Sequence, residues 1–362
     1  MRGDGTRPGI TTTRTGMTQT TIAELDNLGW ADAYRLRWKR RRLLWRSFRS
    51  RHQLSLVTDR TDQIKPDDVL AVMTQRNEIT RLPYVLDYHR QLGVQHFLIV
   101  DNDSDDGTRA FLTEQPDVSL WHTKHSYHAA RFGLDWMTWL QIKYMDGHWC
   151  LMLDADELLV YAHHESRALQ DLTAWLEQQG RHSFGAHLLD LYPKGPLNGC
   201  SYTAGEDPVS ALPWFDAAPY RVQRQQPLNN LWVQGGARER MFFAQTPNRS
   251  PTLNKIPLIK WNRRYAYVNS CHSVLPRHLN STYEGLCGAS PSGVLLHTKF
   301  LPEIVSKSAI EKQRAQHFHT PSDFDDYYDQ ITESPDLWTT NSTRYTGWQQ
   351  LESLGLMCSG GW

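Results

Sequence analysis

From Asp68 onward the chain alternates short apolar runs with polar loops and amphipathic stretches. Val69 to Met73 is an apolar run, Thr74-Gln-Arg76-Asn77-Glu78 turns polar, and Leu82 to Leu92 places apolar residues at helical spacing until Gly93 stops it. A second strand is predicted over His96–Val100, running into a polar loop from Asp101 to Thr108, then a helix and a third strand over Val118–Trp121. Arg131 to Tyr144 reads as a long helix, and Trp149 to Leu153 as a buried strand. Strand, polar loop and helix, repeated through short connections, predict an α/β domain with a mostly parallel sheet and helices on both faces. Each polar loop then falls on the carboxyl edge of that sheet, where open α/β sheets bind ligands.

Past Leu158 the alternation weakens. Later strands are expected over Phe184–Leu191, Ile256–Trp261 and Val294–Phe300, with a helix over Glu303–His317. The Pro, Asn and Gly-bearing stretch from Pro193 to Asn230 reads as loops over the site, and Gly235-Gly236 as the opening of a helix that a ligand can approach closely. The expected organisation is a disordered tail over 1–30, a basic aromatic helix over 31–60, a domain over 68–330, and a loose tail over 331–362. Within the domain, 68–160 would bind nucleotide and 161–330 the acceptor.

The basic helix changes the picture most. Residues 35 to 51 carry nine Lys or Arg and no acid, while Tyr34, Trp38, Trp45 and Phe48 recur at helical spacing, with Arg41 interrupting the stripe. Such a helix lies on an anionic membrane surface, through residues 34–51, or packs its stripe on the domain and leaves the arginines solvated. Over the whole chain 39 basic residues balance 39 acidic ones, so no global field calls for nucleic acid. No apolar run reaches membrane-spanning length. Met1–Thr21 lacks the apolar core of a secretory signal, and Met17 is a second candidate start. Five scattered cysteines form no CxxC pair, which favours a reducing compartment. The expected location is the cytoplasm, including the inner face of its membrane.

Candidate chemistry centres on Asp154-Ala-Asp156-Glu157, where an apolar strand delivers carboxylates to its carboxyl end. Hard divalent cations such as Mn²⁺ or Mg²⁺ take carboxylate oxygens and bind substrate phosphates at the same time. Helix capping is the bland use of the same residues.

The motifs Thr74-Gln-Arg76-Asn77-Glu78, Arg81-Leu-Pro83-Tyr, Val100-Asp101-Asn-Asp103-Ser-Asp-Asp106-Gly107-Thr108 and Asp154-Ala-Asp156-Glu157 together resemble the family 2 glycosyltransferases, and also family 92. The resemblance covers roughly Asp68 to Phe300. It implies a GT-A fold with a nucleoside held by Arg76, Asn77, Glu78, Asp101 and Asp103, and a metal held by Asp154 and Asp156. It further implies a late histidine completing the metal site, His297 or His272, and cations meeting the diphosphate among Arg131, Lys255 and Lys299. The reaction implied is inverting transfer of one sugar from a nucleotide-sugar donor, UDP-linked by family habit, to a glycan or lipid-linked acceptor. Its base would come from downstream, Glu239 first and Asp190 second.

The signatures of processive polymerases are missing from the sequence, so single-sugar transfer fits better than polymer extrusion. A nucleotidyltransferase would need a Gly-rich loop after the first strand, and Thr74–Glu78 has no glycine. A non-catalytic nucleotide- or glycan-binding protein on the same fold is the alternative.

Overall fold

The computed structural model describes residues 28–314 and 325–362. Most of the predicted tail over 1–30, and the end of the helix predicted to reach His317, lie outside these residues. A nine-stranded sheet forms the centre. Its strands are β1 (Ser55–Thr58), β2 (Val69–Gln75), β3 (His96–Asp101), β4 (Val118–His122), β5 (Trp149–Met152), β6 (Glu157–Val160), β7 (Ser183–Asp190), β8 (Asn254–Lys260) and β9 (Ser292–His297). Across the sheet they run β1-β4-β3-β2-β5-β8-β7-β9-β6. Six strands (β2, β3, β4, β5, β7 and β9) point one way, and β1, β8 and β6 run against them. The predicted mixed α/β class, with a mostly parallel sheet, is the architecture found.

Helices cover both faces because the central strands are apolar on both sides. On one face α2 (Leu82–Leu92), α3 (Thr108–Glu114) and α5 (Leu169–Gln178) pack on Val69, Ala71, Met73, Phe97 and Leu151. On the other, α4 (Leu134–Tyr144) packs on Leu70, Val72, Leu98 and Val100. α2 has the ends read from the sequence: Pro83 sits in its first turn, and Gly93 adopts a left-handed φ of 106° that closes its last turn.

α1 (Trp30–Ser50) forms a further layer outside α4. Leu36 and Leu43 are buried against Ala266, Val268 and Leu275, and Arg46 reaches Asp135 of α4 at 3.0 Å. The stretch after Pro193, read as loops, includes a hairpin of Tyr220–Gln225 and Asn230–Gly235. It leads into α6 (Gly236–Phe242), and α7 (Ile304–Arg314) follows β9. The C-terminal segment, read as loose, is instead packed. Trp348, Leu351, Leu356 and Met357 are buried with Leu158, Leu189 and Leu296, a few large apolar residues anchoring an otherwise polar sequence. All five cysteines are free thiols. No helix among the described residues is long and apolar enough to cross a membrane.

Candidate active site

The first four parallel strands stand in the order β4-β3-β2-β5, so the sheet grows outward in one direction from β2 and then resumes on its other side at β5. Such a reversal leaves a crevice between the loops that follow the two strands. Thr74 to Glu78 leave β2 on one side of it, and Leu153 to Glu157 leave β5 on the other.

Strand register assembles the rest. β9 lies between β7 and β6, and its last residue, His297, pairs with Asp190 on one side and Glu157 on the other. His297 Nδ1 is 2.6 Å from Asp190 Oδ1, and Nε2 is 3.1 Å from Asp156 Oδ2. Burial would lower the imidazole pKa, but Asp156 and Asp190 raise it above the ordinary value. Asp190 also accepts from Arg238 Nε at 2.7 Å, and against the upward pull of burial Arg238 and His297 bring its carboxyl down to about 2. Asp156 is held well below its usual range, since His297, Arg81 and Lys299 outweigh burial.

β8 runs antiparallel between β5 and β7, so its beginning, not its end, lies on the carboxyl edge. That places Lys255 beside the acidic motif. Its ammonium donates to Asp154 Oδ2 at 2.7 Å and to Glu157 Oε1. Both carboxylates hold the buried Lys255 charged, Asp154 more strongly. Burial among neighbouring acids raises Glu157 to about 7, while Lys255 keeps Asp154 below its ordinary value despite burial.

One oxygen each of Asp154, Asp156 and Glu157 lies within 4.8 Å of the others, a spacing a single cation can bridge. The donors are hard oxygens. Asp154 is 44% exposed and Asp156 24% exposed, so both open to the crevice, whereas Glu157 is enclosed. His297 is oriented as a metal-bound imidazole is, with Nδ1 on a carboxylate and Nε2 toward the acidic motif. These residues fit a divalent cation. The other candidate, His272, is buried with Nδ1 2.6 Å from the Asn254 carbonyl oxygen, and burial lowers its pKa to about 4.

The nucleoside candidates form a cross-linked pair of loops. Asn77 and Asp103 both have positive φ, 55° and 60°, a conformation that Asn and Asp tolerate and that gathers at binding sites. The Asn77 amide exchanges hydrogen bonds with Asp105, and its backbone N–H donates to Ser104 Oγ. Arg76 donates to the Asn102 carbonyl at 3.2 Å. Asp101 is buried, with the Ser104 N–H at 3.4 Å from its carboxylate. Asp103 is half-exposed beside His122 and Lys124. Glu78 is engaged by Arg81 at 2.8 Å and by Lys307 of α7 at 2.9 Å, which ties the first loop to the helix after β9.

Three candidates lie elsewhere in their commitments. Arg131 pairs with Asp135 at 2.7 Å, donates to the Tyr267 carbonyl and lines a cleft under α1. Glu239 is bound on both oxygens by Arg221 and on one by Ser250 at 2.7 Å, and these bonds lower its carboxyl against burial. Gly235 and Gly236 approach Pro219 and Tyr220, so the paired glycines serve the packing of the hairpin.

Two residues escaped the sequence reading. Gln75 ends β2 directly across from Asp101, buried, and neither atom of its amide has a hydrogen-bond partner among the described residues. Arg238 precedes Glu239 by one residue, and on a short helix the sequence does not say which of the two faces the sheet.

No family model matches the chain, and no curated protein matches it in sequence. Among solved structures it is similar to the mannosyltransferase PcManGT from Pyrobaculum calidifontis in complex with GDP-Man and Mn²⁺. The identity is 18% over 46% of this chain and 47% of that one, with a TM-score of 0.25. A 4-diphosphocytidyl-2C-methyl-D-erythritol synthase matches at 17% identity over 40% and 70% of the two chains, TM-score 0.24. A UTP-bound UGPase from Acinetobacter baumannii matches at 11% over 53% and 74%, TM-score 0.23. The chain thus spans less than half the length of the mannosyltransferase.

Proposed function

We propose that the chain moves one sugar from a nucleotide-sugar donor, UDP-linked, to a hydroxyl of a glycan or lipid-linked acceptor. The observation that supports this best is the convergence at the β2/β5 crevice of two cross-linked polar loops with the Asp154–Asp156 pair and His297. In this reading the base of the nucleoside meets Gln75 and Asp101. An amide with a free donor and a free acceptor, beside a carboxylate, matches the mixed edge of a uracil ring. The diphosphate runs toward Asp154 and Asp156, with Lys299 on its flank.

Mn²⁺ or Mg²⁺, held by Asp154 and Asp156 with His297 as a third donor, would supply Lewis-acid stabilisation of the leaving diphosphate. Asp190 fixes the ring of His297, and Lys255 keeps Asp154 ionised and in place. Of the two carboxylates considered as base, both have their oxygens bound, Asp190 by His297 and Arg238 and Glu239 by Arg221 and Ser250, and Asp190 is the one joined through His297 to the acidic motif. We therefore assign the acceptor's proton to Asp190. At a pKa of about 2 it is a weak base, suited to a proton that turns acidic only as the acceptor oxygen bonds to the anomeric carbon.

The test is calorimetric titration of UDP, GDP and dTDP, with and without Mn²⁺, into the wild type and Asp156→Ala, followed by a transfer assay with the sugar nucleotide that binds. Metal-dependent binding of one nucleotide, with transfer falling on the order of 10²-fold or more in the variant, is expected. Absence of binding for all three overturns the reading. Binding without turnover in the wild type would leave a nucleotide-binding protein on this fold.

A further inference from the structure

The sequence left two fates for the aromatic stripe of α1, and the structure selects between them. The face of α1 that packs on the domain consists of Leu36, Leu43, Ser47 and Ser50, all buried. Trp30, Tyr34, Trp38, Trp45 and Phe48 are exposed, Trp30 to 84% and Trp45 to 60%. At about 100° per residue the five aromatics fall within an arc of roughly 80°, on the side opposite the buried face. Trp45 stacks on Phe48 at 5.7 Å, Tyr34 meets Trp38 edge-on at 6.1 Å and Arg41 lies 5.4 Å over the Trp38 ring, while Phe48 at the end of the stripe also meets Trp139 of α4 edge-on at 5.8 Å.

Beside the stripe lies a cleft of about 640 Å³ whose wall includes Arg35, Lys39, Arg42, Arg46 and Arg131. Asp135 answers Arg46 and Arg131 together, and Asp32 answers Arg35. Lys39 and Arg42 form no ion pair among the described residues. Partial burial, and after it the nearby Arg131 guanidinium, lower the pKa of Lys39.

We infer that α1 is a docking surface for an anionic lipid bilayer, with the aromatic stripe seated in the headgroup region and a lipid phosphate taken into the Lys39–Arg42 cleft. Charge complementarity selects this occupant. An aromatic face alone would suit any apolar partner, but here cations flank the stripe on both sides and the cleft beside it is polybasic. Indole and phenol rings favour the boundary between hydrocarbon and water, and clustered Lys and Arg are drawn to anionic headgroups. Since α1 is fixed to the domain through Leu43, Arg46 and the Ser50 hydroxyl on the Asp135 carbonyl, docking orients the whole sheet relative to the membrane. This inference is independent of the sugar-transfer reading.

The experiment is co-sedimentation of the full chain with phosphatidylcholine vesicles and with vesicles containing phosphatidylglycerol, at low and high salt. Binding to the anionic vesicles alone, reversed by salt, is expected. Trp38→Ala/Trp45→Ala and, separately, Lys39→Glu/Arg42→Glu should each weaken it at least about tenfold. Both pairs lie on exposed or cleft positions, and circular dichroism with thermal melting confirms that the variants fold. Three results overturn the proposal: no sedimentation with anionic vesicles, unchanged sedimentation of both double variants, or α1-dependent dimers that form instead of vesicle binding. Saturable binding of inorganic phosphate at the cleft with no vesicle binding would identify a soluble anion as the occupant and also overturn it.

Discussion

At the carboxyl edge of the sheet, Asp154, Asp156, Glu157 and Asp190 each lie against Lys255, Arg238 or the imidazole of His297. Along α1, Lys39 and Arg42 face a cleft with no acid of their own among the described residues. The contrast separates two uses of charge. Buried charge must be paired inside the fold, because an unpaired ion in a low dielectric costs several kcal/mol. Half-exposed charge can remain in surplus, at the expense of mutual repulsion, and surplus is what an external partner of opposite sign can use.

The sharpest way to break the comparison is to unpair the buried edge. Lys255→Met leaves Asp154 and Glu157 facing each other without their shared ammonium, and should destabilise the chain by about 3–5 kcal/mol in urea unfolding. Adding Glu157→Gln to it should recover part of that loss, as a double-mutant cycle would show. If Lys255→Met melts like the wild type, the pairing is not what holds this edge.

Cutting the attachment of α1 ranks next. Leu43→Ala should cost about 2–3 kcal/mol, measured the same way, because the side chain is buried against Val268 and Leu275. A negligible change would mean that α1 is tethered rather than packed.

Acid should act on the paired region through Asp190. Its folded pKa of about 2 lies below the ordinary 3.8, so its contribution is complete above the ordinary value and is lost as pH falls toward 2. The amount is roughly 2 kcal/mol, and Asp190→Asn, studied in chelator, should lack that part of the pH slope.

The smallest expected effect sharpens the comparison from the other side. Trp38→Ala should change stability by less than about 0.5 kcal/mol, since the ring is exposed and its removal leaves no cavity. A large loss would show the stripe to be structural.

Much of this fold is legible along the chain. β2, β3, β4 and β5 begin and end within about two residues of the predicted runs, because strands buried on both faces must be continuously apolar. The acidic motif at the end of β5 was legible for the same reason. What stayed hidden depends on strand direction and on contacts between distant segments. Nothing local marks β8 as antiparallel, so Lys255 read only as one of three cations that could meet a diphosphate, and that direction is what places it on the edge beside Asp154 and Glu157. Glu239 and Arg238 are neighbours in sequence, and only the packing of α6 shows that Arg238 takes Asp190 and Glu239 takes Arg221.

In α1 the aromatic periodicity left open which face of the helix packs on the domain. Ser47 and Ser50 let the helix sit close to α4, with their hydroxyls satisfied by the Leu43 and Asp135 carbonyls, and small polar residues carry no apolar signal. In the C-terminal segment four scattered large residues were enough to pack a stretch whose average composition reads as loop.

The reversed direction of β8 also has a consequence in time. Lys255 follows Asp154 by 101 residues, so a chain emerging from the ribosome completes the acidic trio long before its counterion exists. Until the second half of the sheet docks, three carboxylates share the end of β5 with only Arg81 of the first half acting on Asp156, and a contact spanning that much sequence is slow to close. The carboxyl edge of the sheet should therefore be among the last parts of the protein to mature. A nascent fragment ending before residue 254 should dock its β5 edge only when acid or a divalent ion takes the place of the missing lysine.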